Sequence, residues 1–305
     1  MMRSMFSGVS GLRAHQTRMD VIGNNIANVN TVGFKSSRAT FQEIFSETLR
    51  GASAPDATTG RGGTNPMQIG LGVDISAIDM TMTEGSPQAT SRPLDFSIAG
   101  EGFFVVGLGD GSYAYTRNGA LELDANGYLV TANGDYVMGI TGDETHVTNG
   151  SPLFNTAVTP AAPLFGRIQI QGKVDTGADD PITGDPIYET YTDYAIDANG
   201  TITAMDSAGS TVTLGRLVLA TFSNASGLEK IGSSYYSASP NSGAADMSFA
   251  NNGCGYLNSG SLEMSNVDIA TELTSMIITQ RAFQANSRVI TTSDTLLEEL
   301  INLKR

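Results

Sequence analysis

The chain has 305 residues, with 17 Lys and Arg against 31 Asp and Glu, for a net charge of −14. That balance argues against nucleic acid and against insertion at an anionic membrane surface, while the length is enough to bury a real core in two domains or in one domain carrying an insertion. One cysteine, Cys254, excludes an intrachain disulfide, so stability has to come from packing.

Charge is unevenly spread: residues 1–50 carry +3, residues 261–305 carry −2, and the middle carries −15. An acidic, Gly- and Thr-rich, Lys-poor body suits a surface kept soluble outside the cell. Yet Arg3 and Arg13 are not followed by the apolar stretch of roughly 7–15 residues that a secretory signal requires, and no run of about 18 apolar residues is present to span a bilayer. Those rules alone predict a cytoplasmic protein, in conflict with the composition of the body.

Residues 3–28 are expected to be a helix. Positions alternately three and four apart give Met5, Val9, Leu12, Gln16, Met19, Gly23 and Ile26, an average spacing that matches the coiled-coil period. Gly8, Gly11 and Gly23 each cost about 1 kcal/mol relative to Ala in a helix interior, so this helix is marginal alone and is expected to order only against neighbours. Asn28 to Gly33 stops it, with Gly33 supplying a left-handed residue. Phe41 to Leu49 is a candidate second helical turn, and residues 51–63 (GASAPDATTGRGG) are a loop by every breaker signal.

Short alternating runs follow at 73–82, 94–99, 103–108, 112–116, 120–123, 128–131 and 136–139. Asn-Gly, the strongest short hairpin signal, occurs at Asn118, Asn126, Asn133, Asn149, Asn199 and Asn252. The body is therefore an antiparallel β structure. Residues 142–192 hold five of the ten prolines and form a separate insert. Strand signals return at 194–196, 201–205, 211–214 and 217–222, and the tetrapeptide Asp-Ala-Asn-Gly at Asp124 and Asp197 suggests similar hairpins on either side of the insert.

From Ser265 to the end a second helix repeats the seam: Ile269, Leu273, Met276, Gln280, Phe283, Ser287, Ile290, Asp294, Leu297 and Ile301. Ser265 or Asn266 is placed to cap it, with Asp268 in the first turn where the helix dipole favours an anion. The expected fold is mainly β with terminal α-helices that pair as a coiled-coil-like assembly domain. Its expected division is 1–50 with 256–305 as the assembly domain, 51–141 with 193–255 as a discontinuous β domain, and 142–192 as an inserted outer domain.

Sites of chemistry are sparse. The segment 107–112 (GLGDGS) lacks the third glycine of a dinucleotide fingerprint and leads into a strand, so a hairpin turn fits it better than a phosphate loop. The acidic stretch from Asp175 to Asp197 lacks the ligand spacing of an EF-hand and is a solvated face. His15 and His146 stand alone in sequence, and Cys254 sits in a Gly-flanked turn as a small tolerated residue. Neither a catalytic group nor a cofactor is expected. Methionines at both ends, such as Met19 and Met276, suit a surface that repacks against several neighbours.

Residues 24–35 (NNIANVNTVGFK), with Asn24, Asn25, Asn28, Thr31, Gly33, Phe34 and Lys35, resemble the N-terminal signature of bacterial flagellar rod and hook axial proteins. Matching blocks follow in the family's order: 70–73 (GLGV), 83–90 (TEGSPQAT), 93–106 (PLDFSIAGEGFFVV), 115–119 (YTRNG), 259–268 (SGSLEMSNVD) and 278–288 (ITQRAFQANSR). The last two contain Ser265, Asn266, Val267, Asp268, Gln280 and Arg281. The resemblance implies a non-enzymatic subunit of a helical tube whose terminal helices pair in the inner wall. It implies further copies of itself, rod, hook-cap and hook–filament junction proteins as partners. Export without a cleaved signal through the flagellar type III apparatus is also implied, which resolves the conflict over location. The insert and the block 63–70 (GTNPMQIG) resemble hook members more than distal rod members, whereas the loop at 51–63 stands where distal rod proteins and some hook proteins carry an extra stretch.

Overall fold

A computed structural model describes residues 2–55, 62–141, 165–170, 173–179, 186–190, 193–205 and 211–303. The chain divides into two compact units. One comprises Met1–Val29, Ser36–Thr81 and Val267–Arg305, the other Asn30–Lys35 and Met82–Asn266.

In the first unit, helix α1 (Met2–Ala27) packs on helix α2 (Ile269–Asn302). The Asn28 amide donates to both Asn24 O and Asn25 O at 3.2 Å, closing the last turn of α1. Gly33 then takes φ +67°, the left-handed conformation that L side chains avoid. The cap of α2 is Asp268, not Ser265 or Asn266. One of its carboxylate oxygens accepts from the Ala270 amide at 3.0 Å and the other from the Thr271 hydroxyl at 2.6 Å. The helix starts late because the preceding residues are already engaged: Ser261–Glu263 forms a strand, and the Asn266 amide donates to Thr83 O and Oγ1.

Four strands complete this unit: β1 (Ser37–Glu43), β2 (Ser46–Arg50), β3 (Met67–Gly70) and β4 (Val73–Met80). β1 pairs antiparallel with β4, with a register shift at Thr40/Phe41, and β2 pairs with β3. The helical turn expected at 41–49 is therefore strand. Phe41 packs edge-on against His15, 5.5 Å between ring centroids, with the Arg18 guanidinium 5.6 Å from its centre; an aromatic side chain on a half-buried sheet gains more than it would on a solvated turn. Of the loop expected at 51–63, Ser53 bridges to Thr64, and 56–61 lie outside the described residues.

Among the described residues the second unit is built of β-strands, with one short 3-10 turn at Ala225–Gly227. Its strands are β5 (Pro87–Ala89), β6 (Phe96–Ala99), β7 (Phe103–Gly107), β8 (Tyr113–Thr116), β9 (Leu121–Leu123), β10 (Leu129–Thr131), β11 (Tyr136–Thr141), β12 (Phe165–Arg167), β13 (Lys173–Asp179) and β14 (Pro186–Thr190). They continue with β15 (Asp193–Ile196), β16 (Thr201–Met205), β17 (Thr211–Thr221), β18 (Glu229–Gly232), β19 (Tyr235–Ser237), β20 (Asp246–Phe249), β21 (Tyr256–Ser259) and β22 (Ser261–Glu263). A 12-stranded sheet runs in the order β15-β16-β17-β11-β7-β8-β19-β18, with β9, β10, β12 and β20 attached beside it. β6 pairs with β21, β5 with β22, and β13 with β14 as separate ribbons.

The runs expected at 211–214 and 217–222 are one strand, β17, because Gly215 and Arg216 stay paired to both β16 and β11. The repeated Asp-Ala-Asn-Gly does form matching hairpins. Gly127 and Gly200 take φ +81° and +76°, and each donates its amide to the oxygen of Asp124 or Asp197. Segment 107–112 is the β7–β8 turn, with Asp110 accepting from the Ser112 amide and hydroxyl.

Phe96, Phe104, Leu121, Leu129, Ile202, Leu217 and Leu219 are fully buried in the core. Ile168 and Ile170 join them, and β12 pairs with β11. These residues of the expected insert are thus part of the main sheet, whereas β13 and β14 pair only with each other among the described residues. His146 lies outside the described residues. Phe104→Ala should lower the stability of the β unit by about 3–5 kcal/mol, measured as a reduced midpoint with unchanged slope in urea unfolding followed by circular dichroism.

Candidate functional site

The helix pair spends its intrachain contact on small and polar residues. The buried positions of α1 are Gly8, Gly11, Ala14, Ile22 and Asn25, and those of α2 are Thr279 and Ser293. A Cβ on Gly8 would lie 3.3 Å from Ile290 Cγ1, and one on Gly11 would lie 2.7 Å from Asn286 Nδ2. The glycines that weaken α1 as an isolated helix are what let α2 approach. Asn25 fixes the register, donating to Glu272 Oε1 at 3.1 Å and to Ser37 O at 2.8 Å while accepting from the Ser37 amide at 3.0 Å.

This stripe runs one residue ahead of the seam expected on α1: Gly8 for Val9, Gly11 for Leu12, Ile22 for Gly23, Asn25 for Ile26. Met5, Leu12, Met19 and Ile26 are half-buried beside it and Val9 is exposed. On α2, Met276, Ile290 and Leu297 are half-buried, whereas Ile269, Leu273, Phe283 and Ile301 face solvent, as do Gln280 and Arg281. Ile277, Ile278, Leu296 and Leu300 are exposed too, and on α1 so are Met2 and Phe6. Ile22 apart, the residues that the two helices bury fully are small or polar, and many of their large apolar side chains stay exposed.

The family-like blocks meet in the β unit at one carboxylate. Glu263 Oε1 accepts from Lys35 Nζ at 2.6 Å and from the Gly85 amide at 3.0 Å, and Oε2 accepts from Arg117 Nη1 at 3.2 Å. The Gly33 amide donates to the Glu263 carbonyl at 2.8 Å. Lys35 Nζ also donates to Thr83 O at 2.7 Å, and Arg117 Nη2 to Gly100 O at 3.0 Å. The three charged side chains are 0, 2 and 4% exposed for Lys35, Glu263 and Arg117. Burial holds the Lys35 ammonium below the ordinary lysine range against the opposing pull of Glu263, and burial pushes the nearby Tyr236 phenol up to about 12. The Arg117 guanidinium lies 5.2 Å from the Phe103 ring centre, and Lys230 Nζ lies 4.6 Å from that of Phe34.

Around Glu263 glycine is required at Gly33 and Gly85. A Cβ on Gly33 would come within 2.7 Å of the Arg117 carbonyl carbon, and one on Gly85 would overlap the Met264 carbonyl oxygen. Glu263 and Arg117 escaped the sequence reading as a pair because they stand 146 residues apart. Their signal was nonetheless present, as single charges set in apolar or small surroundings (Leu262, Met264; Thr116, Gly119).

Among the described residues no group of three or more His, Cys, Asp or Glu could hold a metal ion, and no helix is long and apolar enough to cross a membrane. The Cys254 thiol is half-buried and pushed up by burial. Removing the central charge with Glu263→Gln leaves two buried cations without a counter-ion. The β unit should lose about 3–5 kcal/mol, read by chemical denaturation, with Glu263→Asp retaining part of the loss-free stability.

Three family models match: flagellar basal body rod FlgEFG protein C-terminal over residues 258–303, flagellar hook protein FlgE/F/G D1 domain over 97–204, and flagella basal body rod protein over 5–35. Flagellar basal-body rod protein FlgG of Bacillus subtilis is 43% identical over 307 aligned positions, covering 100% of both chains. Flagellar hook protein FlgE of Borreliella burgdorferi is 32% identical over 447 positions, and the FlgG of the same organism is 34% identical over 307, each again covering 100% of both chains. The chain belongs to the flagellar rod and hook protein family, non-enzymatic structural proteins that polymerise into the axial structure of the flagellum.

Proposed function

We propose that this chain is a subunit of the flagellar hook, assembling head to tail into a flexible helical tube that joins rod to filament and transmits torque. The observation that supports assembly is the inverted helix pair, with Gly8, Gly11, Thr279 and Ser293 inside and Phe6, Leu273, Phe283 and Ile301 outside. Heterologous contacts that do not close generate a helical polymer, which a two-fold interface cannot do. The choice of hook is supported by the β13–β14 ribbon, which pairs outside the main sheet within the span 142–192. An appendage of that kind gives neighbouring subunits a surface on which to slide while the helices hold. Rod, hook-cap and junction proteins, and the type III export apparatus, are the partners this reading entails, with the subunit outside the cell after export.

A second reading, a rod subunit forming a straight and rigid tube, is favoured by the 43% and 34% identity to basal-body rod proteins over the whole chain. Electron microscopy of polymers grown from the purified chain separates the two. The hook reading expects curved, supercoiled tubes, and uniformly straight tubes would replace it with the rod. Leu273→Asp, at an exposed apolar position of α2, should abolish sedimentable polymer while the β unit keeps its unfolding midpoint. Tubes of normal length from this variant would refute the assembly role of the outer helix face.

A further inference from the structure

We propose that the Asn252–Gly253 bond is a spontaneous modification site, at which this chain converts a neutral carboxamide to a carboxylate with age. Asn-Gly pairs are the most reactive positions for this chemistry because glycine leaves its amide nitrogen open to the preceding side chain. The nitrogen of Gly253 attacks Asn252 Cγ, a new N–C bond forms as the carboxamide C–N bond breaks, and ammonia leaves. Water then opens the five-membered imide at either carbonyl, giving aspartate or isoaspartate and one negative charge. No oxidant or further reactant is needed.

Five of the Asn-Gly pairs fall among the described residues, and the fold protects four of them. The amides of Gly127, Gly134 and Gly200 are tied in turns to Asp124 O at 3.0 Å, Thr131 O at 2.8 Å and Asp197 O at 2.8 Å. At the fourth, the Asn118 carboxamide oxygen accepts from the Ala120 amide at 3.1 Å, its own amide donates to Thr116 Oγ1 at 3.0 Å, and Gly119 is buried against the Phe96 carbonyl. At the fifth, Asn252 and Gly253 are both exposed in a turn, and Gly253 takes φ +81°. The surrounding amides are engaged, Asn251 to Gly255 O at 3.1 Å and Asn252 to Phe249 O at 3.0 Å, whereas that of Gly253 donates to no backbone oxygen among the described residues. The attacking nitrogen therefore has no hydrogen bond to break. Isoaspartate would lengthen the main chain by one methylene in the link between β20 and β21, a turn also held by the Ser248 hydroxyl on Asn252 O.

The test uses the full-length folded chain held at mildly alkaline pH, with timed digests read by mass spectrometry and by isoaspartate-specific enzymatic methylation. Conversion at Asn252 should exceed that at Asn118, Asn126, Asn133 and Asn199 by about fivefold or more, the factor that one turn hydrogen bond is worth. In guanidinium the five rates should converge. A folded-state ratio below about fivefold, or a preference for Asn252 that survives unfolding, would overturn the proposal. Asn252→Gln serves as the control that assigns the fast signal to this position.

Discussion

A carboxylate taken out of water has to be met from several sides at once, and Glu263 is met from four: Lys35, Arg117, the Gly85 amide and, at its own carbonyl, the Gly33 amide. The rest of the β unit is arranged around that requirement. Residues 30–35 arrive from the end of α1, residues 83–85 precede the first strand of the unit, Arg117 closes β8, and Glu263 ends β22. The β5–β22 ladder, which sets Glu263 opposite Pro87, brings residues 83–85 near the carboxylate, and the ion group adds Arg117 and residues 30–35. A buried ion group contributes little net stability compared with a well-packed apolar one, but it tolerates no partial assembly. Here it specifies which segments have to be present together, and the left-handed Gly33 and the crowded Gly85 are the backbone consequences.

The helical unit is governed by the opposite economy. Gly8 and Gly11 weaken α1 on its own, and in return they permit a close approach to Asn286 and Ile290. A pair of helices meant to be stable alone would turn its large apolar residues inward, as in a two-stranded coiled coil. This pair leaves many of them exposed, and on α2 the exposed ones run from Ile269 to Ile301. The register of the two helices is set instead by polar contacts among Asn25, Ser37 and Glu272.

Much of this was legible in the sequence. The 3.5-residue spacing located both helices, and the Asn-Gly turns at Asn126, Asn133 and Asn199 located the β9–β10, β10–β11 and β15–β16 hairpins, because both depend on local chemistry; Asn118 and Asn252 instead turn the chain between strands that pair elsewhere in the unit. The identity of the inner stripe was less accessible. Apolar periodicity selects the large side chains, whereas the closest intrachain contact is made where side chains are smallest, so the buried stripe fell one position away at the glycines. The spacing of Gly8 and Gly11 was the available clue. The strand at 41–43 and the late cap at Asp268 were missed because both follow from partners distant in sequence: Val73–Met80 for the first, and Pro87–Ala89 with Thr83 for the second. The Lys35–Glu263–Arg117 group was hidden for the same reason, since opposite charges announce a pair only when their spacing is short.

The ion group also has a meaning for loop closure. Lys35 and Glu263, 228 residues apart in sequence, are joined at 2.6 Å, and the Gly33–Glu263 backbone bond lies beside them. The entropic cost of closing a loop grows only with the logarithm of its length, so residues can be added between these two points at little cost to the junction that ties them.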